Sequence, residues 1–282
     1  MNGRARPPAR RGRMLRIGCV KYLNARPLIR GWPGEVDFDH PSALCKRLAD
    51  GELDVALVSS FEFLRNPIYR IVDDVSISSD GPVYSVVVAH RGDISEIQEI
   101  ELDPASQTAV NLLRSLHAEV GFNPRLIRRN TGVSSAGAKS ISVRRAQLLI
   151  GDQAIRFRKS HAGEFRFWDL GEQWKKLIGV PFVYALWLIR PEIPNAKTIA
   201  NRLRALRNEN LANLDELISE VVAGVADPGD RKEFDHQFCA TYYREHLRFN
   251  FGEEEKEGLR TFANLCARHG LLEKCDLKFD FV

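Results

Sequence analysis

The chain has 282 residues, 44% of them hydrophobic and 28% charged, the balance of a globular protein with a substantial core in one large domain or two smaller ones. Its formal charge of +4 sits at one end: five arginines and no acid fall within residues 1–13, so the remainder is near −1, and the basic balance does not argue for a nucleic-acid-binding face. No apolar run approaches the roughly 20 residues needed to cross a bilayer, and no apolar h-region follows the basic stretch, which argues against a secretory signal.

In chain order, residues 1–13 read as a disordered basic leader, with Met14 a natural start. Residues 15–20 read as a short strand leaving into a polar loop, and Pro27 suits the first turn of the next helix. A second strand at 36–39 precedes a helix opened by Pro41 and Ser42 and stopped by Gly51. The run 54–58, apolar apart from Asp54, has the form of a parallel strand covered on both faces, and Ser59 and Ser60 cap a short helix through Leu64. After the turn Asp80-Gly81-Pro82, residues 83–89 read as a strand. Asp103, Pro104, Ala105 and Ser106 lead into a helix over 107–120 with Ala109, Leu112, Leu113, Leu116 and Val120 on one side. A strand at 146–150 closes on Gly151 and Asp152, and the longest strand, 182–189, ends at Pro191 and Pro194. Helices follow over 196–208, 210–225, 231–245 and 253–269. The rhythm is that of an α/β protein. Strands 83–89 and 182–189 bracket an α/β block, which suits a second lobe (89–190) inserted into a first (14–88 and 191–282). One continuous sheet would give nearly the same pattern.

Ligands of such sheets collect at strand carboxyl ends and helix N-termini. The polar stretches at those places are 21–26, Ser59-Ser60, Ser106-Gln107-Thr108 and Gly151-Asp152-Gln153, with 78–85 beside a crossover. Ser106 and Thr108 could seat a carboxylate or merely cap their helix; Asn24 could contact ligand or form a turn; Asp152 suits an N-cap as well as a base. Cys19, a strand cysteine, reads as packing rather than nucleophile. Five cysteines without CxxC spacing read as reduced thiols of a cytosolic protein. No phosphate loop, GxGxxG, GxSxG, HExxH or zinc pattern is present. The aromatic stretches 165–168, Trp174 and Tyr242-Tyr243 read as packing, with Trp174 the one expected to line a cleft.

Taken together, these stretches resemble the chorismate dehydratase family of the futalosine route to menaquinone. The likeness runs over 15–272. Its most specific element is 16–28, Arg-Ile-Gly-Cys-Val-Lys-Tyr-Leu-Asn-Ala-Arg-Pro-Leu, supported in order by 51–60, 81–86, 148–154, 169–174 and 181–187. The resemblance implies a cytoplasmic lyase with a two-lobed, periplasmic-binding-protein-like (type II) fold, a cleft between the lobes, and neither cofactor nor metal. It implies catalytic roles for Asn24 and Ser85. Substrate contacts are expected from Tyr22, Arg26, Ser59, Ser60, Ser106, Gln107, Thr108, Gly151, Asp152 and Trp174. The substrate would be chorismate, a small dianion, with no nucleic-acid or membrane partner; a homodimer is left open. One departure stands out. The family's Ser-Arg-Thr-Ser helix start is here Ser106-Gln107-Thr108-Ala109, so Arg26 or Arg156 is expected to supply the missing cation. With no evident protein base, the substrate's own enolpyruvyl carboxylate would take the proton, oriented by Asn24, with Asp152 in reserve. The rival readings are the 1,4-dihydroxy-6-naphthoate synthase of the same pathway, less similar at Tyr22-Leu23-Asn24, and a non-catalytic small-anion-binding protein.

Overall fold

The computed structural model describes residues 14–103, 106–128, 142–224, 234–273 and 277–282. The leader 1–13, Pro104, Ala105, Cys275 and the expected helix start at 231 lie outside them. The named strands form two sheets. The first contains β1 (Ile17–Val20), β2 (Val36–Asp39), β3 (Val55–Ser59), β4 (Arg70–Ser79), β10 (Phe182–Ile189) and β11 (Asp280–Phe281), in the order β11-β4-β10-β3-β1-β2. The second contains β5 (Val86–His90), β6 (Glu99–Leu102), β7 (Arg125–Arg128), β8 (Arg145–Ile150) and β9 (Arg166–Asp169), in the order β7-β6-β8-β5-β9. β1 runs parallel to β2 and β3, and β6 parallel to β7 and β8.

β3 is buried at all five positions, as its unbroken apolar run requires. The crossovers differ from expectation. Residues 182–189 are not part of the second unit: β10 lies inside the first sheet, antiparallel to both β3 and β4. Conversely, β5 belongs wholly to the second, paired with β8 and β9. The sheets therefore exchange the chain between β4 and β5 and between β9 and β10, not at 88/89 and 190/191. An apolar run reports burial on both faces but not which neighbours provide it.

Helices cover these sheets: α1 (Arg26–Ile29), α2 (Pro41–Ala49), α3 (Ser60–Arg65), α4 (Gln107–Val120), α5 (Gly151–Ser160), α6 (Leu170–Ile178), α7 (Ala196–Ala212), α8 (Leu214–Ala223), α9 (His236–Thr241) and α10 (Glu253–Arg268). α4 lies against α3, α6 and α10, so it bridges the two halves. Its start is capped by Ser106, whose Oγ accepts the Ala109 N–H at 3.1 Å, and it ends at Gly121 in the left-handed region, φ +72°. Among the described residues no helix is long and apolar enough to cross a membrane.

His117 on α4 is packed against the Phe122 and Trp168 rings, centroids 4.8 and 5.6 Å away, and its Nε2 has no hydrogen-bond partner among the described residues. Burial pulls its pKa from 6.5 to about 4. The unfolded chain takes this proton near pH 6.5 and the folded chain only near 4. The stability it confers is therefore complete above about 6.5 and lost as pH falls toward 4. Between pH 7 and 4.5 the wild type is expected to lose roughly 2 kcal/mol more unfolding free energy than His117→Leu, measured in urea. Equal losses would contradict this.

Candidate active site

The loop after β1 tightens into a 3₁₀ turn, Leu23–Ala25, and then α1, where Pro27 occupies the first turn. Other elements fix this turn on both sides. The Leu23 N–H donates to Asp152 Oδ1 at 2.9 Å, and the Leu23 carbonyl accepts the Tyr243 hydroxyl at 2.8 Å. Asn24, between them, presents a buried Oδ1 with no hydrogen-bond partner among the described residues. A buried acceptor left unpaired costs roughly 1–3 kcal/mol. Its retention points to a ligand as the partner.

Opposite the turn, the starts of α3 and α4 meet. Thr108 Oγ1 contacts Ser59 Oγ, lies 3.4 Å from Ser60 Oγ, and accepts the Phe61 N–H at 3.2 Å. Ser60 donates to the Val183 carbonyl at 2.7 Å and is fully buried. Gln107 offers its carbonyl to Asn111 Nδ2 at 3.0 Å.

α5 begins at Gly151, in the left-handed region at φ +57°. A Cβ there would lie 3.0 Å from the Tyr22 ring, so both the backbone conformation and the close approach call for glycine. Burial, followed by the charges of Asp103 and Asp152, pushes the Tyr22 phenol up to about 12, leaving it a neutral donor at physiological pH. The Gly151 N–H donates to the Ser85 carbonyl at 2.8 Å, and Ser85 Oγ accepts the Tyr242 hydroxyl at 2.8 Å.

Residues 83–85, expected as strand, instead form a turn in which Tyr84 has φ +66°. Asp169, 2% exposed, holds it: Oδ1 accepts the Val83 N–H at 3.0 Å and Oδ2 the Tyr84 N–H at 2.8 Å. Ser85 follows as a wholly buried residue leading into β5.

A cavity of about 70 Å³ lies between the sheets, lined from one side by Tyr22, Asn24, Ser59 and Tyr184 and from the other by Ser106, Thr108, Ile150 and Gly151. That volume is well below the roughly 300–1,000 Å³ of ordinary small-molecule sites, so the two halves must part further to admit a ligand. Its lining carries hydroxyls, an amide and apolar groups but no charged side chain. The starts of α4 and α5 both reach it, supplying the positive ends of two helix dipoles.

Several expected contacts lie elsewhere. Arg26, Asp152 and Arg156 line a larger cavity of about 480 Å³ together with Lys21 and Arg30, so neither arginine replaces the missing helix-start cation in the smaller one. Asp152 Oδ1 accepts the Leu23 N–H, a use that suits a clasp rather than a base. Trp174 does not line the cleft. It is fully buried, packed edge-on against Phe182 and Phe262, with Nε1 donating to the Val180 carbonyl at 3.0 Å; the apolar face of α6 turns into the core. Ser60, Gln107 and Ser85 stand outside the cavity wall, with Ser85 behind the lining residues Val86 and Gly151.

Tyr184 was not foreseen at the site. It lines the cavity from β10, and its hydroxyl meets Ser79 Oγ at 3.2 Å. Cys19 is wholly buried, and burial pushes its thiol well above the usual range, consistent with packing. Among the described residues no group of three or more His, Cys, Asp or Glu could hold a metal ion.

Residues 15–268 match the family described as menaquinone biosynthesis. A protein of Thermus thermophilus named chorismate dehydratase is 31% identical over 265 residues, spanning 88% of this chain and 93% of that one. Among solved structures, one from Archaeoglobus fulgidus superposes with a TM-score of 0.70 at 18% identity, covering 92% of this chain and 98% of the other. The periplasmic aliphatic sulphonate binding protein of Escherichia coli gives 0.63 at 15% identity, covering 94% of each. A Candida albicans protein described as having the generic periplasmic binding protein fold gives 0.54 at 11%, covering 94% and 92%. The α/β architecture is thus the two-lobed periplasmic-binding-protein-like fold.

Proposed function

The chain belongs to the menaquinone biosynthesis family, and from that premise we infer that it is a chorismate dehydratase, a hydro-lyase converting chorismate to 3-[(1-carboxyvinyl)oxy]benzoate. The observation that carries the site assignment is the buried, unpartnered Asn24 Oδ1 in an uncharged cavity between the two sheets.

Dehydration removes the C3 proton and the C4 hydroxyl. The C3 proton is vinylogous to the ring carboxylate, and departure of hydroxide makes the ring aromatic, so the protein need supply little driving force. Its work is to orient a dianion and stabilise the charge that spreads onto the ring carboxylate during proton loss. The starts of α4 and α5, with Ser106 and Thr108, suit the carboxylates. The Asn24 amide suits the rest: its NH₂ donates to the enolpyruvyl carboxylate, and Oδ1 accepts a hydrogen bond from the C4 hydroxyl in the bound substrate, orienting it without assisting its departure. The carboxylate so held takes the C3 proton. Ser85 is assigned to the departing hydroxyl; because it is wholly buried behind Val86 and Gly151, this role requires that wall to part when substrate binds. Tyr22 and Tyr184 wall the ring.

The compartment is the cytoplasm, supported by four buried free cysteines, Cys19, Cys45, Cys239 and Cys266. The test of function is to mix the purified protein with chorismate. Loss of the diene absorbance, with a product lighter by one water, is expected. Binding with an unchanged spectrum would support the small-anion-binding reading instead.

A further inference from the structure

After α9 the chain widens into a π-helical turn, Tyr242–His246. Such turns are rare and recur at functional sites. This one directs three side chains at the two loops that carry Asn24 and Ser85. The Tyr242 hydroxyl donates to Ser85 Oγ at 2.8 Å, the Tyr243 hydroxyl donates to the Leu23 carbonyl at 2.8 Å, and His246 Nδ1 lies 2.9 Å from the Pro82 carbonyl. In a regular helix consecutive side chains diverge by about 100°; here two consecutive phenols reach separate loops. Both tyrosines are buried, at 0% and 2% exposure, where a hydroxyl without a partner would be costly.

We propose that Tyr242 and Tyr243 are positioning residues for the dehydration, Tyr242 orienting the Ser85 hydroxyl and Tyr243 setting the pitch of the turn that presents Asn24. Tyr242 spends its proton on Ser85 Oγ, so the serine's own hydrogen is left to point at another acceptor. Ser85 itself has no freedom to relocate, since its carbonyl is held by the Gly151 N–H and the preceding turn by Asp169. The Tyr242 hydrogen bond thus occupies one lone pair of Ser85 Oγ and removes one direction from those open to its O–H. The inference rests on the roles assigned above to Asn24 and Ser85.

The test compares wild type, Ser85→Ala, Tyr242→Phe and the double variant, reading kcat, KM and melting temperature with chorismate as substrate. Phenylalanine keeps the stacking of residue 242 on Phe238, whose ring centroid is 5.7 Å away. Tyr242→Phe is expected to lower kcat about tenfold with KM within about threefold, and to cost nothing further in the Ser85→Ala background. A purely structural role would give additive losses. Wild-type kcat in Tyr242→Phe beside an impaired Ser85→Ala overturns the Tyr242 proposal alone, as does full additivity. Wild-type kcat in Ser85→Ala removes the Ser85 assignment and the proposal with it. Should Tyr242→Phe fail to fold, the same coupling is read from Tyr243→Phe against Asn24→Ala, where additivity counts against the proposal.

Discussion

Asn24→Ala is expected to lower kcat on chorismate by about 10²–10³-fold while moving the dissociation constant less than about threefold, the pattern of an interaction made mainly in the transition state. The reason lies in what the free protein already pays. The turn at Leu23–Ala25 is pinned by Asp152 on one side and Tyr243 on the other, so Asn24 cannot swing away to satisfy its buried Oδ1. The amide is pre-organised, and the substrate completes its bonds as the carboxylate approaches the C3 proton and the hydroxyl leaves. Binding, by contrast, draws on two helix starts and several hydroxyls that alanine leaves intact. Asn24→Asp should be still slower, because a second carboxylate would face a dianion. Single-turnover kinetics with calorimetric binding separate the two quantities. Wild-type turnover in Asn24→Ala would remove the residue from the mechanism.

The second large effect is on stability. Asp169→Asn is expected to cost about 3 kcal/mol, the scale for breaking a buried charged pair from one side. Oδ1 accepts the N–H groups of Val83, Gly171 and Glu172, at 3.0, 3.0 and 3.2 Å, and Oδ2 accepts that of Tyr84 at 2.8 Å. Arg158 adds an ion pair at 3.5 Å. An asparagine has one acceptor oxygen, so its NH₂ would confront an N–H donor and leave Arg158 unbalanced. The same carboxylate caps α6 and holds Tyr84 at φ +66°, a conformation costing of order 1–3 kcal/mol for a non-glycine residue. Releasing it frees the turn ahead of Ser85, so activity should fall with stability. Urea denaturation gives the free energy; a change below about 1 kcal/mol would contradict this reading.

Much of this arrangement was legible in the chain. The polar exits from apolar runs at 21–26, 59–60, 106–108 and 151–153 mark strand ends, and each of the four contributes to the cavity wall, the last through Gly151. What stayed hidden was non-local. β4, at ten residues the longest strand, is interrupted by Asp73 and Asp74, with Asp74 at φ +62° and a register shift against β10; the irregularity breaks the period-2 pattern by which a strand is read. β9 passed for an aromatic packing segment because its four residues, Arg166–Asp169, pair only through β5. Arg26 and Asp152 stand beside Asn24 and Gly151 in sequence yet face a different cavity, a consequence of the tight turns on which they sit. Tyr242 reaches Ser85 across 157 positions, and no local periodicity encodes that contact.

The location of bound substrate tests the account most directly. In crystals of Asn24→Ala soaked with chorismate, the ring should lie between Tyr22 and Tyr184, with its carboxylates at the starts of α4 and α5. Chorismate found instead among Lys21, Arg26 and Arg156, with the space beside residue 24 empty, would contradict it.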